Sequence, residues 1–217
     1  MPSIETIFTV AIAGLLLSVT PGPSMLYVLS RSIGQSRGAG FASAIGLGLG
    51  GVLLALVAAM GLAAVFQQSA TAYTVLTWVG AAYLIYLGVG MIREKQDDAA
   101  MNAEIEAAFE TKALHKRRSF FQIVYQGVLV EVLNPKTILF FMAFIPPFVE
   151  MGRGDVVTQM LILGVLVPLT ALPSDIVVAI VGGSIAATIK ASQRWSSVLR
   201  WVGGLFLIGI GVSLALG

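Results

Sequence analysis

The chain has no cysteine and a single histidine, His115. A disulfide framework, a zinc knuckle and thiol chemistry are thereby excluded. Charge is scarce as well. Asp, Glu, Lys and Arg make up 11% of the 217 residues, against about 25% in a soluble domain. So few charges do not cover a water-facing surface. The same scarcity excludes disorder, a coiled coil and nucleic-acid binding. What is abundant is apolar: 57% of residues are hydrophobic and the mean hydropathy is +0.92. The pI near 9.0 accompanies a net charge of only +2, which reflects where the cations sit around a membrane rather than a basic patch.

A spanning helix needs roughly 20 largely apolar residues. No charge lies between Glu5 and Arg31, or between Arg37 and Arg93, and the second stretch is long enough for two spans divided at Gln67-Gln68-Ser69. Residues 120–149 carry only Glu131 and Lys136, residues 156–189 only Asp175, and 201–217 no charge. The pattern predicts an all-α integral membrane protein with six spans, near 4–29, 39–66, 72–92, 120–148, 156–186 and 198–216. The first run has no basic residue ahead of it and no small-residue cleavage motif, so it reads as a retained span rather than a signal peptide.

Orientation follows from loop cations. The loops after spans one, three and five hold Arg31 and Arg37, then Arg93, Lys95, Lys112, Lys116, Arg117 and Arg118, then Lys190, Arg194 and Arg200. The opposite side has only Arg153. The cationic side is expected to be cytoplasmic, with both termini outside. The segment 93–119 balances its cations with Glu94, Asp97, Asp98, Glu104, Glu106 and Glu110. It reads as a solvated linker with a short helix over 99–113, and His115 within it as a surface residue rather than a metal ligand or proton relay.

Residues 77–93 read TWVGAAYLIYLGVGMIR and residues 200–216 read RWVGGLFLIGIGVSLAL. Without gaps, Trp78, Val79, Gly80, Leu84, Ile85, Gly88 and Val89 match Trp201, Val202, Gly203, Leu207, Ile208, Gly211 and Val212. A proline break also recurs, as Thr20-Pro21-Gly22-Pro23 in span one and Asn134-Pro135-Lys136-Thr137 in span four. The chain therefore divides into a three-span repeat at 1–92, the linker at 93–119 and a second three-span repeat at 120–217. Three is odd, so the second repeat enters the membrane inverted, with the first and fourth helices broken. Paired, Gly/Pro-interrupted segments in an inverted repeat point to a transporter's binding site.

The breaks suit an anion. Pro21 and Pro23 remove backbone donors, and freed carbonyls at membrane depth are tolerated only against protein or a water-filled cavity. Ser18, Thr20 and Ser24 are at hand to partner them. Each restarting helix presents free N–H groups at its positive end. Asn134 suits an N-cap, Pro135 the first helical position, and Lys136 adds a full charge. The bland alternative is a pair of kinks that only shape the bundle.

Three ionisable residues lie within spans: Glu131, Lys136 and Asp175. Such residues mark pathways or pair with one another. Glu131 and Lys136 are either a structural ion pair or functional groups, and Lys136 can also snorkel. Asp175 is the candidate for recognising an ammonium group or carrying a proton, against a helix-end carboxylate near the surface. Gly46, Gly48, Gly50 and Gly51 read as close-packing positions. Tyr27, Tyr83, Tyr86, Phe140 and Phe141 read as packing or interface residues with a share of cavity lining.

Ser18-Val19-Thr20-Pro21-Gly22-Pro23, the 31–40 loop with Gly34, Gly38 and Gly40, and Leu133-Asn134-Pro135-Lys136-Thr137 with Pro146 and Phe148 resemble the LysE-type amino-acid exporters. The homoserine/threonine resistance (RhtB) branch is the more similar. The resemblance covers essentially the whole chain. It implies a bacterial inner-membrane carrier that exports amino acids or related metabolites, driven by the proton gradient, and no cofactor. Exporters of basic amino acids in that family tend to carry an acid shortly after the Asn-Pro motif. Here Thr137-Ile138-Leu139-Phe140-Phe141 has none, and the centre of span two is Gly50-Gly51-Val52. A neutral substrate such as threonine, homoserine or a branched aliphatic amino acid is expected.

The substrate carboxylate is expected at the helix ends formed by Thr20, Pro21, Gly22, Pro23 and Ser24 and by Asn134, Pro135, Lys136 and Thr137. Asp175 and Glu131 are expected to meet the ammonium or the coupling proton. A passive channel, a membrane scaffold and an intramembrane enzyme are the other classes. The last needs a nucleophile with a base, or a metal cluster, which this composition scarcely builds. Expected partners are the amino acid and membrane lipid. A homodimer is compatible with so small a carrier, although no sequence feature specifies one.

Overall fold

A computed structural model of the chain describes residues 1–19, 22–68, 70–93, 118–150, 152–191 and 193–216. Among them there is no strand. The helices are α1 (Ile4–Ser18), α2 (Pro23–Gly34), α3 (Arg37–Gln68), α4 (Ala70–Arg93), α5 (Phe120–Val132), α6 (Pro135–Phe144), α7 (Val156–Ala191) and α8 (Gln193–Leu216), with a 3-10 turn at Pro146–Phe148. Local sequence sets their starts. Ser3 caps α1 by accepting from the Thr6 N–H at 3.1 Å. Ser119 and Gln122 form a capping box on α5, and Pro23 and Pro135 open α2 and α6. Asp155 begins α7, accepting from the Thr158 N–H and hydroxyl, each at 2.7 Å. Those bonds hold its carboxyl below the ordinary 3.8, so the cap is present at neutral pH and is lost as pH falls through that lowered value.

Helices α3, α4 and α7 are long and apolar enough to cross a membrane. The α1–α2 pair is bent by 54° and the α5–α6 pair by 55°, and counting each pair as one span gives up to five. Trp201–Leu216 of α8 is a shorter apolar stretch. The expected division at Gln67-Gln68-Ser69 falls between α3 and α4, with Ser69 outside the described residues. Linker residues 94–117, His115 among them, lie outside them too. The first span was expected to end near residue 29, yet α2 continues to Gly34. Arg31 does not stop it because its guanidinium donates to Gln126 Oε1 at 2.8 Å and sits 5.4 Å from the Tyr27 ring centre.

Packing is organised around α3, which lies against α7, α5 and α2. Glycine makes these approaches possible. A Cβ at Gly51 would fall 2.8 Å from Pro168 Cβ, one at Gly164 2.9 Å from Ala55 Cβ, and one at Gly40 3.0 Å from Ala179 Cβ. Numbers rise along α3 as they fall along α7, so the two are antiparallel. Gly46 meets Val124 and Gly127, and Gly50 meets Val128 and Glu131, so α3 and α5 run parallel. Helix α1 runs along α7 in the same sense, with Gly14 at Thr170 and Ser18 at Ser174.

The second seam joins α4 to α8. A Cβ at Gly88 would lie 2.5 Å from the Gly204 carbonyl oxygen and 2.7 Å from Ile208 Cγ1. A Cβ at Gly211 would lie 2.8 Å from the Ala81 carbonyl oxygen and 2.8 Å from Ile85 Cγ1. These are the same contacts with the partners exchanged, and they are antiparallel. Gly88 and Ile85 match Gly211 and Ile208 in the sequence repeat. Other contacts are unequal: α4 also packs against α6 and the 3-10 turn, whereas α8 has no comparable contact with α2 among the described residues. Phe140, Phe141 and Phe144 are buried on this side, with the Phe140 and Phe144 rings stacked at 4.3 Å.

Candidate functional site

The two breaks face one cavity. It is lined from α1 and α2 by Gly14, Leu17, Ser18, Gly22, Pro23, Ser24 and Met25, and from α3 by Leu47, Gly48 and Gly51. The second half of the chain contributes Glu131, Asn134, Lys136, Thr137, Phe140 and Phe141, then Val167, Pro168, Ala171 and Asp175. Counted over positions a water centre can take, its volume is about 80 Å³. One water needs roughly 10–15 Å³ by that measure, so the cavity takes a solute of several non-hydrogen atoms.

The local sequence explains why polar atoms reach this place. At the second break, the Asn134 side chain accepts from the Lys136 N–H at 3.0 Å while its Nδ2 donates to Ser24 Oγ at 3.1 Å. The cap of one broken helix is thus tied to the first turn of the other. At the first break Gly22 occupies the cap position with no side chain to satisfy the α2 N–H groups, and Pro23 lacks one. The remaining donors of that turn sit where the cavity begins.

Glu131 ends α5 beside these groups. Its Oε2 accepts from Ser24 at 2.6 Å and its Oε1 from Thr137 at 3.0 Å. Two hydroxyls from different halves of the chain therefore fix one intramembrane carboxylate. Gly50 leaves room for it, since a Cβ there would lie 2.7 Å from Glu131 Cβ. Asp175 is 8% exposed and lies mid-helix in α7, which excludes the alternative of a surface helix end. None of the hydrogen bonds among described residues involves its carboxylate. Nearby, Ser174 donates to Ser18 Oγ at 2.8 Å and to the Ala171 carbonyl at 2.7 Å, joining α7 to α1. Prolines 168 and 173 interrupt the α7 ladder without ending the helix.

Of the residues expected here from sequence, Gly22, Pro23, Ser24, Glu131, Asn134, Lys136, Thr137 and Asp175 line the cavity. Pro135 opens α6 immediately beside it. Thr20 and Pro21 lie outside the described residues. Phe140 and Phe141 are cavity walls, while Tyr86 is exposed on the outer surface and the Tyr27 hydroxyl donates to the Ile123 carbonyl at 3.0 Å. The sequence marks none of Gly14, Leu17, Met25, Leu47, Gly48, Gly51, Val167, Pro168 and Ala171 as lining. Pro168 carried a signal, being a proline within an apolar span. Among the described residues no group of three or more His, Cys, Asp or Glu side chains could hold a metal ion.

Known proteins share this sequence along nearly its whole length. The family description LysE type translocator matches residues 15–217. The homoserine/homoserine lactone efflux protein of Salmonella typhimurium is 32% identical, over 96% of this chain and 95% of its own. An uncharacterized membrane protein of Pseudomonas aeruginosa is 31% identical, over 98% and 95%. The leucine efflux protein of an Enterobacter species is 24% identical, over 96% and 94%. No solved structure matches the chain with significance.

Proposed function

We propose that this chain, which belongs to the LysE type translocator family, exports a neutral amino acid through the cavity between its two broken helices. The observation that carries the reading is the meeting of both breaks, two carboxylates and one lysine around a single cavity. Relatives named for homoserine and for leucine efflux support an amino acid as cargo. Homoserine and leucine carry no charged side chain, which agrees with the expectation drawn from the acid-free stretch 137–141; the first of these relatives is named for homoserine lactone as well.

The substrate carboxylate sits at the N-terminal ends of α2 and α6, where the helix dipoles favour an anion. Lys136 and Asn134 stand at the second of these ends. Ser24 joins the two ends, and Gly22, Pro23, Pro135 and Thr137 shape them. Thr20 and Pro21 belong to the same break by sequence. The ammonium, or the coupling proton, is taken by Asp175 with Glu131. In this reading the Ser24 and Thr137 hydroxyls hold Glu131 in place, and the open carboxylate of Asp175 is the one that exchanges partners.

The architecture proposed is six spans in two inverted repeats. It is supported by the antiparallel pairing of α3 with α7 and of α4 with α8, and by the exchanged contacts of Gly88 and Gly211. The location proposed is a bacterial inner membrane with the cationic loops in the cytoplasm and both termini outside, and export is proton-coupled. The test is counterflow in proteoliposomes with labelled neutral and basic amino acids. Uptake of a neutral amino acid that is lost in Asn134→Ala and Lys136→Ala is expected. Absence of any signal from folded protein overturns an amino-acid cargo. Flux that ignores an imposed proton gradient overturns the proton coupling.

A further inference from the structure

The cavity-lining glycines are not equivalent. A Cβ at Gly14 would lie 2.6 Å from Thr170 Oγ1, and one at Gly51 2.8 Å from Pro168 Cβ. Both are glycine because a neighbouring helix leaves no space. Gly46 and Gly50 are glycine for the same reason against α5. Gly48 lies between these seams and differs from all of them. The nearest atom to a Cβ at Gly48 is Leu172 Cδ1 at 3.8 Å, an ordinary van der Waals contact. Helix packing therefore does not demand glycine at 48. Gly61, Gly90 and Gly209 are likewise helix glycines with no packing demand, having nothing within 4 Å of a built Cβ. What sets Gly48 apart from these three is that it lines the cavity.

We propose that Gly48 sets the largest aliphatic side chain the cavity accepts. This rests on reading the cavity as the substrate site. Much of the cavity wall is hydrocarbon or aromatic, including Leu47, Phe140, Phe141 and Val167. Such a wall suits an aliphatic side chain, while the carboxylates, Lys136 and the helix ends deal with the charged backbone of the substrate. A methyl added at Gly48 takes its volume from a cavity of about 80 Å³. A pocket of this kind discriminates by roughly tenfold or more for one methylene.

The experiment is counterflow by the full-length reconstituted protein, Gly48→Ala and Gly48→Val, with labelled homoserine, threonine and leucine. The expected result is a leucine rate that falls, relative to homoserine, by roughly tenfold in Gly48→Ala and further in Gly48→Val. Unfolding temperatures in detergent are expected to be unchanged or raised for Gly48→Ala. An unchanged ratio of rates across the panel, or an equal loss for all three substrates, overturns the assignment. So does failure of Gly48→Ala to fold, because the argument is that a methyl is tolerated there. A wild-type protein that moves none of the panel overturns the amino-acid reading itself, and this inference with it.

Discussion

Single atoms decide the chemistry at the cavity. Asp175 is buried and, among the described residues, has none of the hydroxyl partners that Glu131 has; the proposed role in meeting a substrate ammonium or a proton rests on that difference. Asp175→Asn is expected to reduce gradient-driven export to background while the protein still reaches the membrane; export at the wild-type rate removes Asp175 from the mechanism. Ser24 plays the opposite part, donating to Glu131 and accepting from Asn134. Hydrogen bonds to charged groups contribute about 1.5–3 kcal/mol. Ser24→Ala is expected to lower thermal stability in detergent by an amount in that range, and to lower transport with it. The types of these residues were legible in the sequence, because a carboxylate in an apolar run is conspicuous. Their partners were not. Ser24 and Glu131 are 107 positions apart, and only the folded bundle brings them together.

At the scale of elements, the helices were largely readable because length and apolarity fix a span and because Ser, Asn and Pro mark where helices start. The starts of α5 and α6 follow from Ser119 and Asn134-Pro135. Less legible was which glycines touch what. Gly46, Gly48, Gly50 and Gly51 look alike in sequence, yet they face α5, the cavity, Glu131 and Pro168 respectively. Substitution separates them from glycines of no consequence. Gly50→Ala would press on Glu131 Cβ and the Val128 carbonyl, and overpacking of this kind costs about 1–3 kcal/mol. It is expected to lower the unfolding temperature and to displace Glu131 from its hydroxyls. Gly90→Ala, with nothing within 4 Å, is expected to leave both stability and transport unchanged. Equal effects of the two would show that the α3–α5 approach has slack.

For the whole molecule, the absence of cysteine gives a direct measure of topology. Any cysteine introduced is the only one to react. Gly152→Cys, exposed and beside Arg153, is expected to be labelled by a membrane-impermeant maleimide on intact cells, and Arg118→Cys only after the membrane is opened. The reverse pattern would place the cationic loops outside and overturn the proposed orientation. The proposed orientation rests on loop charge alone, on counts of Lys and Arg rather than on packing. The unequal contacts of the two halves, with α4 on α6 but no comparable contact of α8 with α2 among the described residues, have no signature in the α4 and α8 sequences, which are alike.

That inequality carries a thermodynamic consequence. If the halves are interchangeable, as the reciprocal seam of Gly88 and Gly211 suggests, then a twin arrangement exists in which α8 rests on α2 and α4 swings away. The α4–α8 seam would be the same in both twins; to the extent that the other contacts matched too, their free energies would be close and the fold itself would favour neither mouth. A ligand with equal affinity for both would not tip them. The machine would then run backwards as readily as forwards, with direction imposed only by the concentrations on either side. Right-side-out and inside-out vesicles under matched gradients are accordingly expected to give initial rates within about tenfold of each other, a free-energy difference under about 1.4 kcal/mol.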